Sequence, residues 1–410
     1  MTGFEGVPPE LGSRALFPTL AAKAYLAHAA ISPISTPIAD ALGAWIRETA
    51  IDGVAGFEVG LRARARTKDE LARLLAVPAA TLALVPSTTV GVQIIAQSLR
   101  VRPGDALVLL RGEFPTNVVP WLRVAEARGL EVRWLDAEDL RRPPDGAEPP
   151  GLARLEALLA DGKVRLVAVS AVQFQTGLVM PLAAIAARAH AAHARVAVDA
   201  IQAAGVTPLS LAAAGCDFAT GGSHKWLMAV PGAGWLYVAP DALAALDERM
   251  HGWLSLRDPI GFLFPTANGA GVALDYMRPS RAEASALEAG SLSSGAFVAL
   301  AASLGLLNHL GVAAIHAHVQ AYLDRLEPAL VALGAVSLRS PHLAERSGTL
   351  SLVPPPGVAI GHVAAVFARH GVKVSTPEGL LRIAPHWPNA LAETEGVLAA
   401  AAEAFVPHGT

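Results

Sequence analysis

Short, almost uniformly apolar runs alternate with amphipathic stretches between residues 81 and 238. The apolar runs are 81–85, 106–110, 130–135, 164–170, 195–200, 217–220 and 233–238. Segments with apolar residues at helical spacing separate most of them, at 90–99, 117–128, 152–160 and 182–193, with a shorter helix-like piece after residue 199. Buried strands that alternate with amphipathic helices are typical of a parallel sheet covered on both faces. The pattern therefore predicts an α/β fold with a mostly parallel, seven-stranded sheet.

The pattern changes on both sides of this region. Residues 37–73 have apolar residues at helical spacing and arginines on the other face, which predicts two solvated helices. The arginines are Arg62, Arg64 and Arg66. After an apolar helix at 296–310, the chain shows another long helix, short strands and a final Ala-rich helix. We therefore expect an N-terminal segment (1–35) that packs with a small domain, a large domain (36–310) and a smaller α+β C-terminal domain (311–410).

Composition narrows the class of protein. The 410 residues are 53% hydrophobic and 16% charged, as in an ordered globular protein. The formal charge of −3 gives no electrostatic footprint for nucleic acid. A single cysteine, Cys216, excludes a disulfide framework and fits a reducing compartment. No secretory signal or membrane-spanning run is evident. The pairs His190/His193 and His316/His318 suggest a metal, but no third ligand or carboxylate is spaced with them. We therefore expect a cytoplasmic protein without a metal or membrane partner.

Polar residues cluster where the predicted strands end. In parallel sheets, ligands bind beyond the carboxyl ends of the strands, so these clusters should converge on one crevice. The clusters are Ser87–Thr89, Glu113–Phe114, Gln173–Gln175, Asp199–Gln202 and Gly222–Lys225. Three hydroxyl residues at a helix start can cap the helix or bind an anion such as phosphate. The motif is not a Walker loop, because no lysine follows it.

One lysine and one carboxylate stand out in these clusters. Of the five lysines in the chain, only Lys225 lies between small residues and an apolar strand, where desolvation favours the neutral, nucleophilic amine. Asp199 ends a buried strand, and a buried charge is costly without a partner. We interpret the pair as a Schiff-base lysine for pyridoxal phosphate and a carboxylate that faces the pyridine nitrogen. The alternative is a lysine on a surface turn.

The motifs around these residues resemble a known family. They are VPSTTVGVQIIAQ, GEFPTNVVPW, VDAIQAAG, SHKW, EAGS and LRIAPHWPN. The chain resembles, over nearly its whole length, the class V aminotransferase type of fold-type-I pyridoxal-phosphate enzyme. The stretch around SHKW is similar to isopenicillin N epimerase-like proteins and to cysteine desulfurases. The resemblance implies a fold-type-I transferase whose large domain binds the cofactor.

The resemblance also implies roles for individual residues. Lys225 would form the internal aldimine, and Asp199 would pair with the protonated pyridine nitrogen. Gln202 would hydrogen-bond the phenolic oxygen of the cofactor. Arg382 would pair with the substrate carboxylate, for which a guanidinium is suited; otherwise it is a surface arginine on an edge strand.

A second set of residues is implied for the cofactor phosphate. Thr88, through its backbone, and Thr89 would hold the phosphate at the helix start, and His224 would also reach it. Ser291 would reach the phosphate of the neighbouring subunit, which implies a homodimer with shared active sites. Many relatives have a serine where this chain has Gly222, and Ser223 beside it is the candidate substitute.

Two further departures from the family bear on the reaction. Phe114 occupies the position of a histidine that stacks on the cofactor in desulfurases, and phenylalanine carries no proton. The loop 372–379 contains no cysteine, whereas desulfurases use a mobile thiol there. Cys216 is most simply buried packing, so persulfide-forming desulfuration is disfavoured.

The sequence therefore predicts a pyridoxal-phosphate enzyme that acts on an amino acid through an external aldimine and Cα deprotonation. Aminotransferase, epimerase and Cβ-elimination or C–S lyase outcomes stay open. Alternatives are cysteine desulfurase-like sulfur transfer and a non-catalytic binding protein with this fold; a nucleotide-dependent oxidoreductase lacks its glycine motif. Residues 252–281 are expected to shape the side-chain pocket. Their aromatic residues are Trp253, Phe262, Phe264 and Tyr276, with an NGAG run at 268–271.

Overall fold

A computed structural model describes residues 7–263 and 275–406. The strands are β1 (Ala24–Tyr25), β2 (Leu82–Val85), β3 (Ala106–Arg111), β4 (Glu131–Asp136), β5 (Val164–Ser170), β6 (Arg195–Asp199), β7 (Phe218–Gly222), β8 (Gly234–Val238), β9 (Val336–Ser337), β10 (Leu350–Val353), β11 (Val372–Lys373) and β12 (Leu381–Ile383). The α-helices are α1 (Thr36–Ile51), α2 (Gly53–Leu75), α3 (Thr88–Ser98), α4 (Val119–Arg128), α5 (Pro150–Leu159), α6 (Leu182–Ala191), α7 (Ser294–Leu310), α8 (Val312–Ala332), α9 (Ile360–Arg369) and α10 (Glu393–Ala404).

The central sheet has seven strands within the described residues, in the order β2-β8-β7-β6-β5-β3-β4. Strand β8 is antiparallel to β2 and β7, and the other neighbouring strands pair in parallel. The predicted mostly parallel α/β sheet is therefore confirmed. Successive residues of β3 enter opposite sides of the core, because Val108 and Leu110 belong to one buried cluster and Leu107 and Leu109 to the other. The sheet is thus covered on both faces, which explains its continuous apolar strands.

Two expectations from the sequence are wrong in detail. The helix-like piece after β6 is a run of turns over residues 201–206 rather than a helix. The helix α2 is not simply solvated, because it packs along α7, where Thr67 donates to the carbonyl of Phe297 at 3.3 Å. Arg64 also leaves the solvent face, since its guanidinium lies 2.7 Å from the buried carboxylate of Glu288. An uncompensated charge on Glu288 would be costly, and this requirement decides where Arg64 lies.

The C-terminal part forms a smaller α+β unit. Its three-stranded antiparallel sheet has the order β12-β10-β9; α8 and α9 pack against it, and α10 packs on α8, α9 and β11. The N-terminal strand β1 pairs in parallel with β11, and Ala27 forms a bridge with Ala384. Residues 24–27 therefore join the C-terminal unit although they lie near the N-terminus.

One close approach and one membrane test complete the description. A Cβ on Gly91 would lie 2.0 Å from Thr220 Oγ1, so the glycine lets α3 approach β7 closely. Across the two described ranges, no single helix is long and apolar enough to span a bilayer. The pair α7 and α8 meets the length and composition criteria together, but it is bent by 76°.

Candidate active site

The strand ends do converge on one edge of the sheet. Asp199, the last residue of β6, pairs in register with Ser170 at the end of β5 and with Thr220 of β7. Lys225 follows the end of β7 by three residues, and Phe114 follows the end of β3 by three. The Nζ atom of Lys225 lies 5.5 Å from the ring centre of Phe114. The crevice expected from the sequence therefore has both residues in it.

Lys225 is a largely buried amine. Burial lowers its pKa from 10.5 to about 8; Asp199 opposes this shift, and Arg382 adds to it. A primary amine with this pKa is neutral in an appreciable fraction at neutral pH, which is the form that acts as nucleophile or base. The surface-turn alternative does not fit this degree of burial.

Asp199 is the carboxylate expected to face the pyridine nitrogen of the cofactor. Its side chain is buried, and its Oδ1 accepts a hydrogen bond from the backbone N–H of Ile201 at 2.9 Å. Burial raises the pKa of Asp199 to about 6, against the opposing effects of that hydrogen bond and of Lys225. A cationic group placed beside it would favour the charged carboxylate again.

Arg382, on β12, brings the C-terminal unit into the site. Its Nε donates to Ser375 Oγ at 2.9 Å, and its Nη1 donates to the carbonyl of Phe174 at 2.7 Å. Burial lowers its pKa to about 10, so it keeps its positive charge at neutral pH. The planar guanidinium is therefore held rigidly at the edge of the crevice, which suits recognition of a carboxylate. It is not a surface arginine.

The start of α3 forms the candidate phosphate site. Ser87 caps the helix by accepting a hydrogen bond from the N–H of Val90 at 3.3 Å. The Oγ1 of Thr88 is buried and has no hydrogen-bond partner among the described residues. A Cβ on Gly222 would lie only 3.1 Å from that oxygen, so the glycine leaves room beside it. An unpartnered hydroxyl at a helix N-terminus is suited to an anionic oxygen.

The other residues assigned to the cofactor differ in how many hydrogen-bonding groups they have left for a ligand. Thr89 Oγ1 shares a hydrogen bond of 2.9 Å with Thr116 Oγ1. His224 is half-buried, and burial together with Lys225 lowers its pKa, so its imidazole is neutral at neutral pH. Gln202 accepts from Trp226 Nε1 at 2.9 Å and donates to the carbonyl of Ala29 at 3.1 Å, which leaves one amide proton for a ligand.

The expectation for Ser223 needs a correction. Its side chain is buried, and its hydroxyl donates to the carbonyl of Val230 at 2.5 Å. A hydroxyl has only one proton, so Ser223 cannot also donate to a phosphate oxygen. Ser223 therefore does not replace the serine that relatives have at the position of Gly222.

The role expected for Ser291, at the phosphate of a neighbouring subunit, stays a prediction. Ser291 lines a small cavity with Phe57, Arg64 and Trp253. Tyr276 is 82% exposed, so within this chain it is not core. Phe264, the NGAG run and the side chain of Phe262 lie outside the part of the chain that the structure describes. The prediction that residues 252–281 shape a substrate pocket stays a prediction.

Two residues of the site had no assigned role in the sequence. Glu113 is buried and accepts hydrogen bonds from the backbone N–H and the hydroxyl of Ser170. Burial raises its pKa to about 7; the hydrogen bonds from Ser170 oppose this shift, and Asp199 adds to it. Phe174 packs edge-on against Phe114, with ring centres 5.4 Å apart. The only sequence signal for these two residues was their position at strand ends, and that position did not indicate a chemical role.

This donor set fits pyridoxal phosphate. The cofactor carries a phosphate, a ring nitrogen that can be protonated and an aldehyde that reacts with a lysine. The unpartnered Thr88 hydroxyl at the α3 N-terminus, the buried Asp199 carboxyl and the Lys225 amine match these three groups. In residues 7–263 and 275–406, no group of three or more His, Cys, Asp or Glu could hold a metal ion.

Comparisons with known proteins identify the family of this chain. The sequence model of the family described as "Aminotransferase class-V" matches residues 25–381. The chain is 29% identical to a probable cysteine desulfurase of Methanothermobacter thermautotrophicus, over 73% of this chain and 70% of the relative. It is 30% identical to the isopenicillin N epimerase of Streptomyces clavuligerus, over 71% of each protein.

A solved structure has the same fold. The cysteine desulfurase CsdA of Escherichia coli superposes with a TM-score of 0.79 at 23% identity, over 96% of this chain and 98% of that one. The fold-type-I architecture and the family resemblance are therefore confirmed. The expected cofactor is supported as well. The chain belongs to the class-V aminotransferase family of pyridoxal-phosphate enzymes.

Proposed function

We propose that this enzyme removes the Cα proton of an amino acid with Lys225 and returns protons on the same side of the substrate. One observation carries the proposal, which is a largely buried Lys225 amine that interacts electrostatically with Asp199 and Arg382 and lies 5.5 Å from the ring centre of Phe114. When bound, pyridoxal phosphate supplies an electron sink for the charge that develops at Cα. The residues described above decide how the substrate is oriented and where its protons go.

Each of the three polar residues has a distinct task. Asp199 holds a proton on the ring nitrogen by pairing with it, because a buried carboxylate favours a neighbouring cation. Arg382 binds the substrate carboxylate and so fixes which bonds of Cα face the ring. Lys225 would be the base that removes the Cα proton of the bound substrate.

The phosphate and ring oxygen have their own ligands in this proposal. The N–H groups at the start of α3 and the hydroxyl of Thr88 hold the phosphate, with Thr89 and His224 beside them. The remaining amide proton of Gln202 bonds the phenolic oxygen of the cofactor. These contacts would hold the cofactor independently of Lys225.

Phe114 and Cys216 narrow the reaction. Phe114 covers one side of the site with a ring that carries no acid or base, which favours transamination or Cβ elimination over a two-base epimerisation. Cys216 is buried, and burial raises its pKa to about 12, so its thiolate is not available for persulfide chemistry. We therefore place cysteine desulfurase-like transfer behind the other two outcomes.

The active unit in this proposal is a cytoplasmic homodimer. Exposed apolar side chains lie on both sides of the junction between α1 and α2, where a second copy would cover them. They are Ile46, Ile51, Val54 and Phe57. In that arrangement Ser291 reaches the phosphate of the neighbouring subunit. Size-exclusion chromatography with light scattering distinguishes a dimer from a monomer.

The proposal is tested by following protons in deuterium oxide. The enzyme is loaded with pyridoxal phosphate and incubated with a panel of L-amino acids, and Cα deuteration and configuration are measured by NMR and chiral chromatography. We expect Cα deuterium with retained L configuration, or keto acid, in wild type, and neither in Lys225→Ala. Borohydride treatment should attach the cofactor to the peptide that contains Lys225. Rapid racemisation by wild type would contradict the one-sided proton transfer.

A further inference from the structure

Three successive backbone carbonyls of the lysine turn are held from outside the central sheet. The carbonyl of His224 accepts from the backbone N–H of Ser32 at 2.9 Å. The carbonyl of Lys225 accepts from the hydroxyl of Ser32 at 2.6 Å. The carbonyl of Trp226 accepts from Nε2 of His386 at 2.9 Å. Ser32, from the N-terminal segment, and His386, from the C-terminal unit, therefore hold the backbone of the turn by hydrogen bonds.

The donors in this contact can be assigned without ambiguity. The single proton of the Ser32 hydroxyl goes to Lys225, so the bond of 2.7 Å between Ser32 Oγ and His28 Nδ1 must be donated by His28. His28 Nε2 then carries no proton, and it is buried without a partner in the described residues. His386 Nδ1 accepts from the N–H of Trp387 at 2.8 Å, so its proton is on Nε2 and points to Trp226. A chain of hydrogen bonds therefore runs from His28 through Ser32 to the backbone carbonyl of Lys225.

The turn itself is not a relaxed structure. The Lys225 carbonyl also accepts from the N–H of Met228 at 2.9 Å, and Met228 has a left-handed φ of 52°. A non-glycine residue in that region costs on the order of 1 kcal/mol and persists where neighbours over-determine it. Gly205 makes room on the other side, because a Cβ there would lie 2.5 Å from the Trp226 carbonyl oxygen.

We propose that Ser32, His28 and His386 are positioning residues that fix the backbone from which Lys225 delivers its amine between Asp199 and Arg382. The inference rests on the proposed function of Lys225. A lysine side chain amplifies small rotations of its backbone, and a misplacement of about 1 Å can cost about 100-fold in rate. The charged and titratable groups that face the amine are Asp199 on β6, Arg382 on β12 and His224 on the turn itself.

The chain offers a matched control for this proposal. Ser35 is buried in the same N-terminal segment, and its hydroxyl has no hydrogen-bond partner among the described residues. Ser35→Ala therefore removes a buried serine hydroxyl without touching the lysine turn. Ser32→Ala removes the donor to the Lys225 carbonyl and leaves the proton of His28 without an acceptor. Ser32→Thr restores the hydroxyl.

The first measurement is the proton affinity of Lys225 in full-length protein without added cofactor. Competitive acetylation with acetic anhydride over a pH series, read by mass spectrometry, gives the titration midpoint of Lys225. The lysines Lys23, Lys68, Lys163 and Lys373 serve as internal references. In Ser32→Ala we expect the midpoint of Lys225 to rise by about 0.5 units or more towards 10.5, because a loosened turn lets the amine reach water. Ser35→Ala and Ser32→Thr should keep the wild-type midpoint.

The second measurement uses the holoenzyme and separates kcat from KM. Ser32→Ala should lower kcat by about 10-fold or more with little change in KM, since Arg382 still binds the substrate. If Ser32→Ala does not fold, His386→Asn, which cannot reach the Trp226 carbonyl, is compared with His386→Gln, which can. An unchanged Lys225 midpoint in a folded Ser32→Ala or His386→Asn protein would overturn the proposal. A wild type that never binds pyridoxal phosphate would instead refute the proposed function, since the acetylation needs no cofactor.

Discussion

His386 allows a quantitative test of how the C-terminal unit is tied to the lysine turn. Its imidazole is fully buried, donates to the Trp226 carbonyl and accepts from the N–H of Trp387. The bond accepted from Trp387 requires a neutral ring, because Nδ1 must be unprotonated, whereas the charged ring could also donate to Trp226. Burial lowers the pKa of His386 from 6.5 to about 4, although the bond to Trp226 opposes this shift. His386→Gln keeps an amide donor near the position of Nε2 but cannot titrate.

The sign and size of the pH effect follow from this shift. The unfolded chain takes up the proton near pH 6.5, whereas the folded protein does so only near pH 4. Unfolding is therefore coupled to proton uptake in this window, and the free energy of unfolding falls as the pH falls from 6.5 to 4. Between about pH 7 and about pH 5, His386 should account for a loss of about 2 kcal/mol. Burial and His386 also lower the pKa of His28. His28 therefore contributes to the pH dependence of stability with the same sign in wild type and in His386→Gln.

The assay is urea unfolding of the cofactor-free protein at both pH values, followed by tryptophan fluorescence. We expect the pH-dependent loss to be about 2 kcal/mol smaller in His386→Gln than in wild type. The variant His193→Asn, at an exposed histidine, should lose as much as wild type. An equal loss in all three proteins would refute the argument, because it would mean that His386 titrates alike in the folded and unfolded states.

Three further predictions concern the site and its support. Arg382→Lys cannot keep its contacts with both Ser375 and Phe174, so we expect kcat/KM to fall about 30-fold, equal to about 2 kcal/mol, in steady-state assays. Phe114→His places a proton carrier where wild type has none; we expect Cα racemisation at least about 10-fold faster by chiral chromatography, and no gain would show that this face is closed to proton transfer. Gly91→Ala would bring a Cβ within 2.0 Å of Thr220 Oγ1, so we expect about 1–3 kcal/mol of destabilisation and weaker cofactor binding by calorimetry. Gly361→Ala in α9, which meets nothing within 4 Å, is its control and should neither destabilise the protein nor weaken cofactor binding.

The sequence predicted the sheet and its crevice because both depend on local patterns. Continuous apolar runs such as 164–170 indicate strands buried on both faces, and the predicted bounds of that run coincide with β5. Polar residues directly after such runs must lie at one edge, so Lys225 and Asp199 could be placed together without coordinates. The motifs then supplied the cofactor.

The sequence could not predict contacts between distant segments. Arg64 was expected in solvent because it lies on the helix face opposite the apolar residues, but its buried partner, Glu288, is 224 residues away. Ser223 was expected near phosphate from its place beside Gly222, yet its hydroxyl direction depends on the turn that brings Val230 close. The hydrogen bond from Ser32 to the Lys225 carbonyl joins residues 193 positions apart, and no hydrophobic periodicity in either segment indicates it. Long-range hydrogen bonds of this kind are specified by the fold and not by local propensity.

Glu113 shows how the fold divides charge between two neighbouring carboxyls. Glu113 and Asp199 both approach Ser170, the first through hydrogen bonds and the second through strand pairing. Both pKa values are raised by burial, to about 7 for Glu113 and about 6 for Asp199, and Lys225 opposes the shift only for Asp199. As the pH falls, Glu113 therefore takes up a proton first, and its neutral form no longer repels the charge on Asp199. A ring nitrogen facing Asp199 needs that charge, so Glu113 serves the site best as a protonated acid.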